Sequence, residues 1–242
     1  MKKNICVLAI LTIISSSAFS YAFEGVPQEL IDSGLPLPDG GIKVISRYDF
    51  ADKSRIKNDM KMYEEQQTQG FINKNSEKAK NLLQQKYLLP AELTKTALID
   101  EPRSTHLRSD SSAVKFGFNF PKITINVTKI WGFAPAGTYV DDAWTGGVQL
   151  FESKIGSCSL LVNAIKLSHA STHIAKEVVK YDVNNKVTTE FVTGNDTSGY
   201  LYTVSWFDDT YFRDLECANK NYSENILKQI IDMAVDSDSR TN

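Results

Sequence analysis

Two cysteines, Cys158 and Cys217, bracket the stretch that most limits what this chain can fold into. Between them lies a dense succession of short segments rich in β-branched and aromatic residues, separated by polar turns. The third cysteine, Cys6, falls in an apolar run at the start of the chain. In an exported protein the remaining pair reads as a Cys158–Cys217 disulfide; the alternative is two free buried thiols. Closing a loop of that length in the unfolded chain stabilises a fold by about 4 kcal/mol in the chain-entropy account.

Residues 158–167 (CSLLVNAIKL) fit either a strand buried on both faces or a buried helix, because periodicity does not separate the two. Residues 177–183 and 186–192 predict a hairpin turned by Asn184-Asn185, since asparagine tolerates the left-handed backbone of tight turns. Residues 193–199 (TGNDTSG) predict a second turn. Residues 200–207 (YLYTVSWF) are the strongest strand pattern in the chain. Asp208-Asp209 turns it, and residues 211–217 return with Tyr211, Arg213, Leu215 and Cys217 on one face. Upstream, residues 114–120 (VKFGFNF) and 123–128 (ITINVT) alternate as half-buried strands do. Downstream, residues 221–235 read as a helix with Asn221 and Glu224 as capping pair and Ile226, Leu227, Ile230, Ile231 and Ala234 as apolar stripe. A run of hairpins followed by one helix predicts an α+β fold: an antiparallel sheet with a C-terminal helix packed on it.

The chain opens with Lys2, Lys3 and the apolar run ICVLAILTII, then turns small and polar. That run has the length of a secretory signal and is too short to span a bilayer. Cleavage is expected after Ala22, with Ser20 as second choice. Removing two lysines leaves 25 basic against 29 acidic residues, a net charge of −4, which gives no long-range field for nucleic acid. Residues 23–112 read as an extended and helical N-terminal arm, with helices near 52–68 and 76–88, Ser76 as a cap and a polar linker at 101–112. Residues 113–236 form the expected sheet domain with its helix, and 237–242 a tail.

Residues 131–147 (WGFAPAGTYVDDAWTGG) read as a Gly-rich loop whose Trp131, Phe133, Tyr139 and Trp144 could stack on a sugar or anchor a partner; the structural alternative is that they fold back and plug the sheet edge. His169, His173 and Glu177 recur every four residues, so a helix or a strand would put all three on one face as zinc ligands. The adjacent pairs Asp141-Asp142 and Asp208-Asp209 look like turns, and a glycosidase dyad draws its carboxylates from separate segments. There is no GxSxG, P-loop or dinucleotide fingerprint, and no cofactor is expected.

With no catalytic constellation standing out, the expectation is an exported bacterial binding or envelope-assembly protein without catalytic activity, periplasmic or secreted, engaging a protein or glycan. A secreted hydrolase, metal- or carboxylate-dependent, and a secreted host-interaction factor are the alternatives. The mature protein is predicted to begin at Phe23. The intact mass of the exported chain checks this, and a mass that retains Lys2 and Lys3 would contradict it.

Overall fold

The computed structural model describes residues 41–50, 56–84 and 110–240. The expected export signal, residues 23–40, the start of the first expected helix, residues 85–100 with the end of the second, most of the expected linker and the last two residues lie outside these. The described chain is mixed α+β. Its centre is an eight-stranded sheet in the order β2-β8-β9-β10-β5-β4-β3, with β7 paired to β8 beside β2. The strands are β2 (Ile72–Asn73), β3 (Val127–Val140), β4 (Ala143–Ser153), β5 (Gly156–Ala164), β7 (Lys180–Val183), β8 (Lys186–Asn195), β9 (Gly199–Phe207) and β10 (Tyr211–Asn219). All pairings are antiparallel except β2 with β8. A separate parallel pair joins β1 (Gly41–Ile45) to β6 (Ser171–Ala175). The helices are α1 (Ile56–Gln69), α2 (Glu77–Leu83), the single turn α3 (Ile165–Ser168) and α4 (Glu224–Ser239).

The two central strands carry the pattern that organises the rest. On one face of β9, Tyr202, Val204 and Trp206 are fully buried, and Leu215 and Cys217 of β10 continue that face. The apolar stripe of α4 covers it, with Ile230, Met233 and Ala234 fully buried and Ile226, Leu227, Ile231 and Val235 partly so. Burying each large aliphatic side chain stabilises the pair of layers by about 1.5–3 kcal/mol. Cys158 and Cys217 sit in this core as a disulfide between directly paired residues of β5 and β10, with Cα atoms 4.1 Å apart.

Both ends of α4 are tied to β9 or its hairpin neighbours. At the start, the Tyr202 hydroxyl accepts from the Ser223 backbone N–H at 2.7 Å and donates to the Asn221 carbonyl at 3.3 Å. Ser223, not Asn221, therefore occupies the N-cap position, and the helix starts at Glu224. At the end, the buried Asp238 carboxylate accepts from Lys186 (2.6 Å), Trp206 Nε1 (3.1 Å) and Asn184 (2.8 Å), with Arg213 at 3.7 Å. Arg213 also pairs with Asp208 at 2.9 Å. Burial pushes the Asp208 carboxyl up, but the Arg213 charge and donation from Arg213, Lys186 and Thr210 outweigh it and hold the group down at about 2.

Three expectations are corrected by the backbone. Residues 131–147 are not a loop: they form most of the β3–β4 hairpin, turned by Asp141 and Asp142 at φ 49° and 61°. Three register shifts along β3 hid the alternation. Residues 114–120 form no strand beyond an isolated bridge from Phe116 to Trp144; Phe116 and Phe120 stack over the hairpin, and Phe118 packs beside them and on Tyr211. A Cβ on Gly147 would strike the Phe116 ring, so glycine makes room for that layer. Ile123 is not in a strand either. The buried Gln149 amide replaces a neighbouring strand, accepting from the Ile123 N–H at 3.1 Å and donating to its carbonyl at 3.3 Å.

The same device recurs on β8. Between β7 and β2, the backbone of β8 is met by Gln66 of α1, whose amide donates to the Glu190 carbonyl (2.9 Å) and accepts from the Val192 N–H (3.2 Å). Ser76 caps α2 as expected, accepting from the Ala79 N–H. The Asn184-Asn185 hairpin forms with both residues at positive φ, 47° and 59°. Replacing both Cys158 and Cys217 by alanine should lower stability by about 4 kcal/mol without changing the fold, because the β5–β10 ladder remains. Urea denaturation alongside far-ultraviolet circular dichroism checks this; an unshifted midpoint would contradict it.

Candidate functional site

The face of the sheet turned away from α4 is unusual for an interior surface. Register places its residues in rows across the strands. Glu152 pairs with Ser157 and Ser157 with Ala218; the next row runs Leu150, Ser159, Glu216, Thr203; the next, Val148, Leu161, Asp214, Ser205, Thr189. Ser157, Ser159, Thr203, Ser205, Asp214, Glu216 and Thr189 are all buried. Buried polar groups of this density are stable only when hydrogen-bonded or paired.

The pairing is incomplete. Ser205 donates to Asp214 Oδ1 at 2.8 Å, and Ser159 to Glu216 Oε2 at 3.4 Å. Lys78 of α2 forms an ion pair with the same Glu216 oxygen. The other oxygen, Oε1, is buried and has no hydrogen-bond partner among the described residues. Asp214 and Glu216 are two residues apart on one strand, so their side chains share a face. Burial, reinforced by the Glu216 charge, pushes the Asp214 carboxyl up to about 7 against the pull of Lys78 and Ser205. A perturbed acid beside a second acid on a buried polar face marks a candidate functional site.

The first of these rows opens to solvent. A cleft of about 370 Å³ is lined by Glu152, Ser157 and Ala218 from the sheet, Leu83 from α2, and Thr128 and Lys220 at its sides. Ser157 and Ala218 lie one row, about 7 Å of strand, from Ser159 and Glu216. The end of β10 is brought close to the start of β5 by Gly156, whose φ of +142° and contact with the Ala218 carbonyl leave no space for a Cβ. α2 is held on this face by Ala79 and Leu82 packing against Leu201 and Ala218.

The residues singled out from the sequence lie elsewhere. Phe133 and Trp144 are 2 % and 3 % exposed and pack with Val114, Phe116, Phe120 and Tyr139, so two of the four rings are core. Tyr139 stands edge-on to Trp144 at 5.2 Å, and Trp131 is half-buried under the Lys129 ammonium at 3.9 Å. His169, His173 and Glu177 fall in three different elements: a left-handed cap after α3, strand β6, and a 3-10 turn. Glu177 accepts from the Ser46 hydroxyl and the Arg47 N–H, each at 3.1 Å, and pairs with the Arg47 side chain at 3.6 Å. Burial pushes its carboxyl up, but those donors and the Arg47 charge hold it below the usual range. Among the described residues no group of three or more His, Cys, Asp or Glu is placed to hold a metal ion, and no helix is long and apolar enough to cross a membrane.

Sequence reasoning passed over Asp214 and Glu216. Their signal was present: they alternate with Arg213, Leu215 and Cys217 on the returning strand. Alternation alone places them opposite the core, where a carboxylate is ordinarily solvated. No protein-family model, no curated protein and no solved structure matches this chain.

Because Asp214 holds its proton in the folded chain up to about 7, against an ordinary value of 3.8, the folded state binds more protons than the unfolded one in between. Its contribution to stability is therefore full below that ordinary value and lost as pH rises through about 7. Glu190, pushed to about 7 by burial and by Asp182 in spite of Lys180, adds a loss of the same sign. Asp214→Asn should flatten part of this decline, leaving the portion due to Glu190. Urea midpoints across that pH window measure it, and an unchanged slope would show that Asp214 ionises normally.

Proposed function

We propose that this chain is an exported bacterial binding protein without catalytic activity, and that the cleft beside α2 is where it engages its partner. The observation that carries the proposal is the row Glu152–Ser157–Ala218, where a polar sheet face reaches solvent in a recess of about 370 Å³. Concave sites with a few placed polar groups are where ligands are held. Export is supported by the Cys158–Cys217 disulfide, which persists in oxidising compartments, and by the basic and apolar start of the chain. The helical segments of the N-terminal arm contribute through α2, whose Leu83 forms one wall. The burial of Phe133 and Trp144 moves the proposed contact surface away from the aromatic hairpin.

The partner is a protein or glycan of the envelope or beyond it. A photo-crosslinking side chain at exposed Thr128, on the cleft, should capture that partner from the cell envelope. The same probe at Tyr181, on β7 at the other edge of the sheet, should not. Equal capture at both positions, or at neither, would remove the proposal.

One observation favours a second reading. Two buried carboxylates, one of them proton-bearing near neutrality, are the components of general acid–base chemistry. In a secreted hydrolase Asp214 would supply the proton and Glu216 would act as base. Glycan hydrolysis by the wild-type chain that Asp214→Asn abolishes would establish this, and no turnover by the wild-type chain would discard it.

A further inference from the structure

Glu216 is a buried carboxylate with one oxygen satisfied and one not. Beside it stands a second acid, Asp214, and the cation that reaches the pair among the described residues is Lys78. Two carboxyl groups carry four oxygens, Lys78 pairs with one of them, and Glu216 Oε1 is left as an unused acceptor among the described residues. An ammonium group has three donors and no acceptor, so it is the group such a recess holds best. Lys78 already demonstrates the fit.

The ion pair is also where this interior meets water. The Lys78 side chain is 28 % exposed, whereas that of Glu216 is 3 % exposed, so the lysine reaches in from outside. It is carried on a helix of seven residues that rests on the sheet through Ala79 and Leu82. The end of that helix, Leu83, walls the cleft, and Ser157 and Ala218 on the cleft floor adjoin the row of Ser159 and Glu216. An amine held at Glu216 would direct its remainder over the adjoining Ser157–Ala218 row toward Glu152, with Lys220 at the rim.

We propose that Glu216 and Asp214 form a binding site for a primary ammonium group, that Lys78 is its built-in occupant, and that the ligand is an amine whose remainder lies in the adjoining cleft. This names the ligand class of the binding site proposed above and rests on that reading. Ligand and lysine then compete for one position. Removing the carboxylate and removing the competitor must move affinity in opposite directions, and losing Lys78 must raise it far more than losing Lys228 of α4, which changes the net charge equally on the other face of the sheet.

The probe is 1,5-diaminopentane, titrated calorimetrically into the full mature chain at low ionic strength. The wild-type chain should bind it; Glu216→Gln should weaken binding roughly tenfold or more, and Lys78→Met, which keeps the apolar stem, should strengthen it by a similar factor. Circular dichroism establishes that each variant is folded, and Lys78→Met alone decides the matter if Glu216→Gln is not. No binding, binding indifferent to Lys78→Met, or an equal gain from Lys228→Met, overturns the amine site. Photo-capture of a partner at Thr128 would still stand in that case, so failure here is distinguishable from failure of the binding reading itself.

Discussion

Every residue of β9 is buried, and a strand buried on both faces requires a covering layer on each side. The layer supplied by α4 is simple: an apolar stripe on Tyr202, Val204 and Trp206, fixed at one end by the Tyr202 hydroxyl and at the other by Asp238. The opposite layer cannot be built the same way. There β9 presents Leu201 and Phe207 at its ends but Thr203 and Ser205 between them, and β10 adds Asp214 and Glu216. Apolar contacts from α2 reach Leu201, while Phe207 packs with Ile165, Ile174 and Phe212. The middle rows depend on hydrogen bonds and on Lys78. Leaving a buried charge without its partner costs about 3–5 kcal/mol, so the position of α2 and the state of Glu216 are coupled.

The elements legible in the sequence are those whose neighbours are other strands. The β7–β8 hairpin, β9, β10 and the C-terminal helix follow from alternation, from Asn184-Asn185 and from a helical stripe, and the paired cysteines follow from their count. The β3–β4 hairpin was not legible. Its bulges break the period of two, and its Gly147 makes room for Phe116 and Phe120 from a different segment. Ile123 was misleading, and the covering of β8 between β7 and β2 was silent, for a related reason. Their backbone groups are satisfied by the side-chain amides of Gln149 and Gln66, which offer the same donor and acceptor as a peptide. No pattern in a single sequence announces that substitution. β2, which lies upstream of residue 112, pairs with β8 through only two residues and is below the length at which periodicity can be read.

The candidate site was hidden by a rule that usually serves well. On a half-buried strand the polar positions face water, and Asp214 and Glu216 occupy such positions. Here the second face is covered as well, so the same alternation places two acids in the interior. The Asp208–Asp238–Lys186–Arg213 cluster balances its charges: two acids, two bases, and donors from Trp206 and Asn184. The Asp214–Glu216 pair has two acids and one base, and Glu216 Oε1 is left without a partner among the described residues.

The disulfide joins residues that face each other across two neighbouring strands, 59 positions apart in sequence. Tension applied along the chain therefore passes from β5 directly to β10 through the sulfurs and never reaches the segment between them. About 200 Å of extended chain, comprising β6 to β9 and much of the core, is withheld from any pulling machine that grips an end. Under load the molecule would yield only its outer parts, the β3–β4 hairpin with the N-terminal helices on one side and α4 on the other. The central strands would remain a closed ring until the bond is reduced.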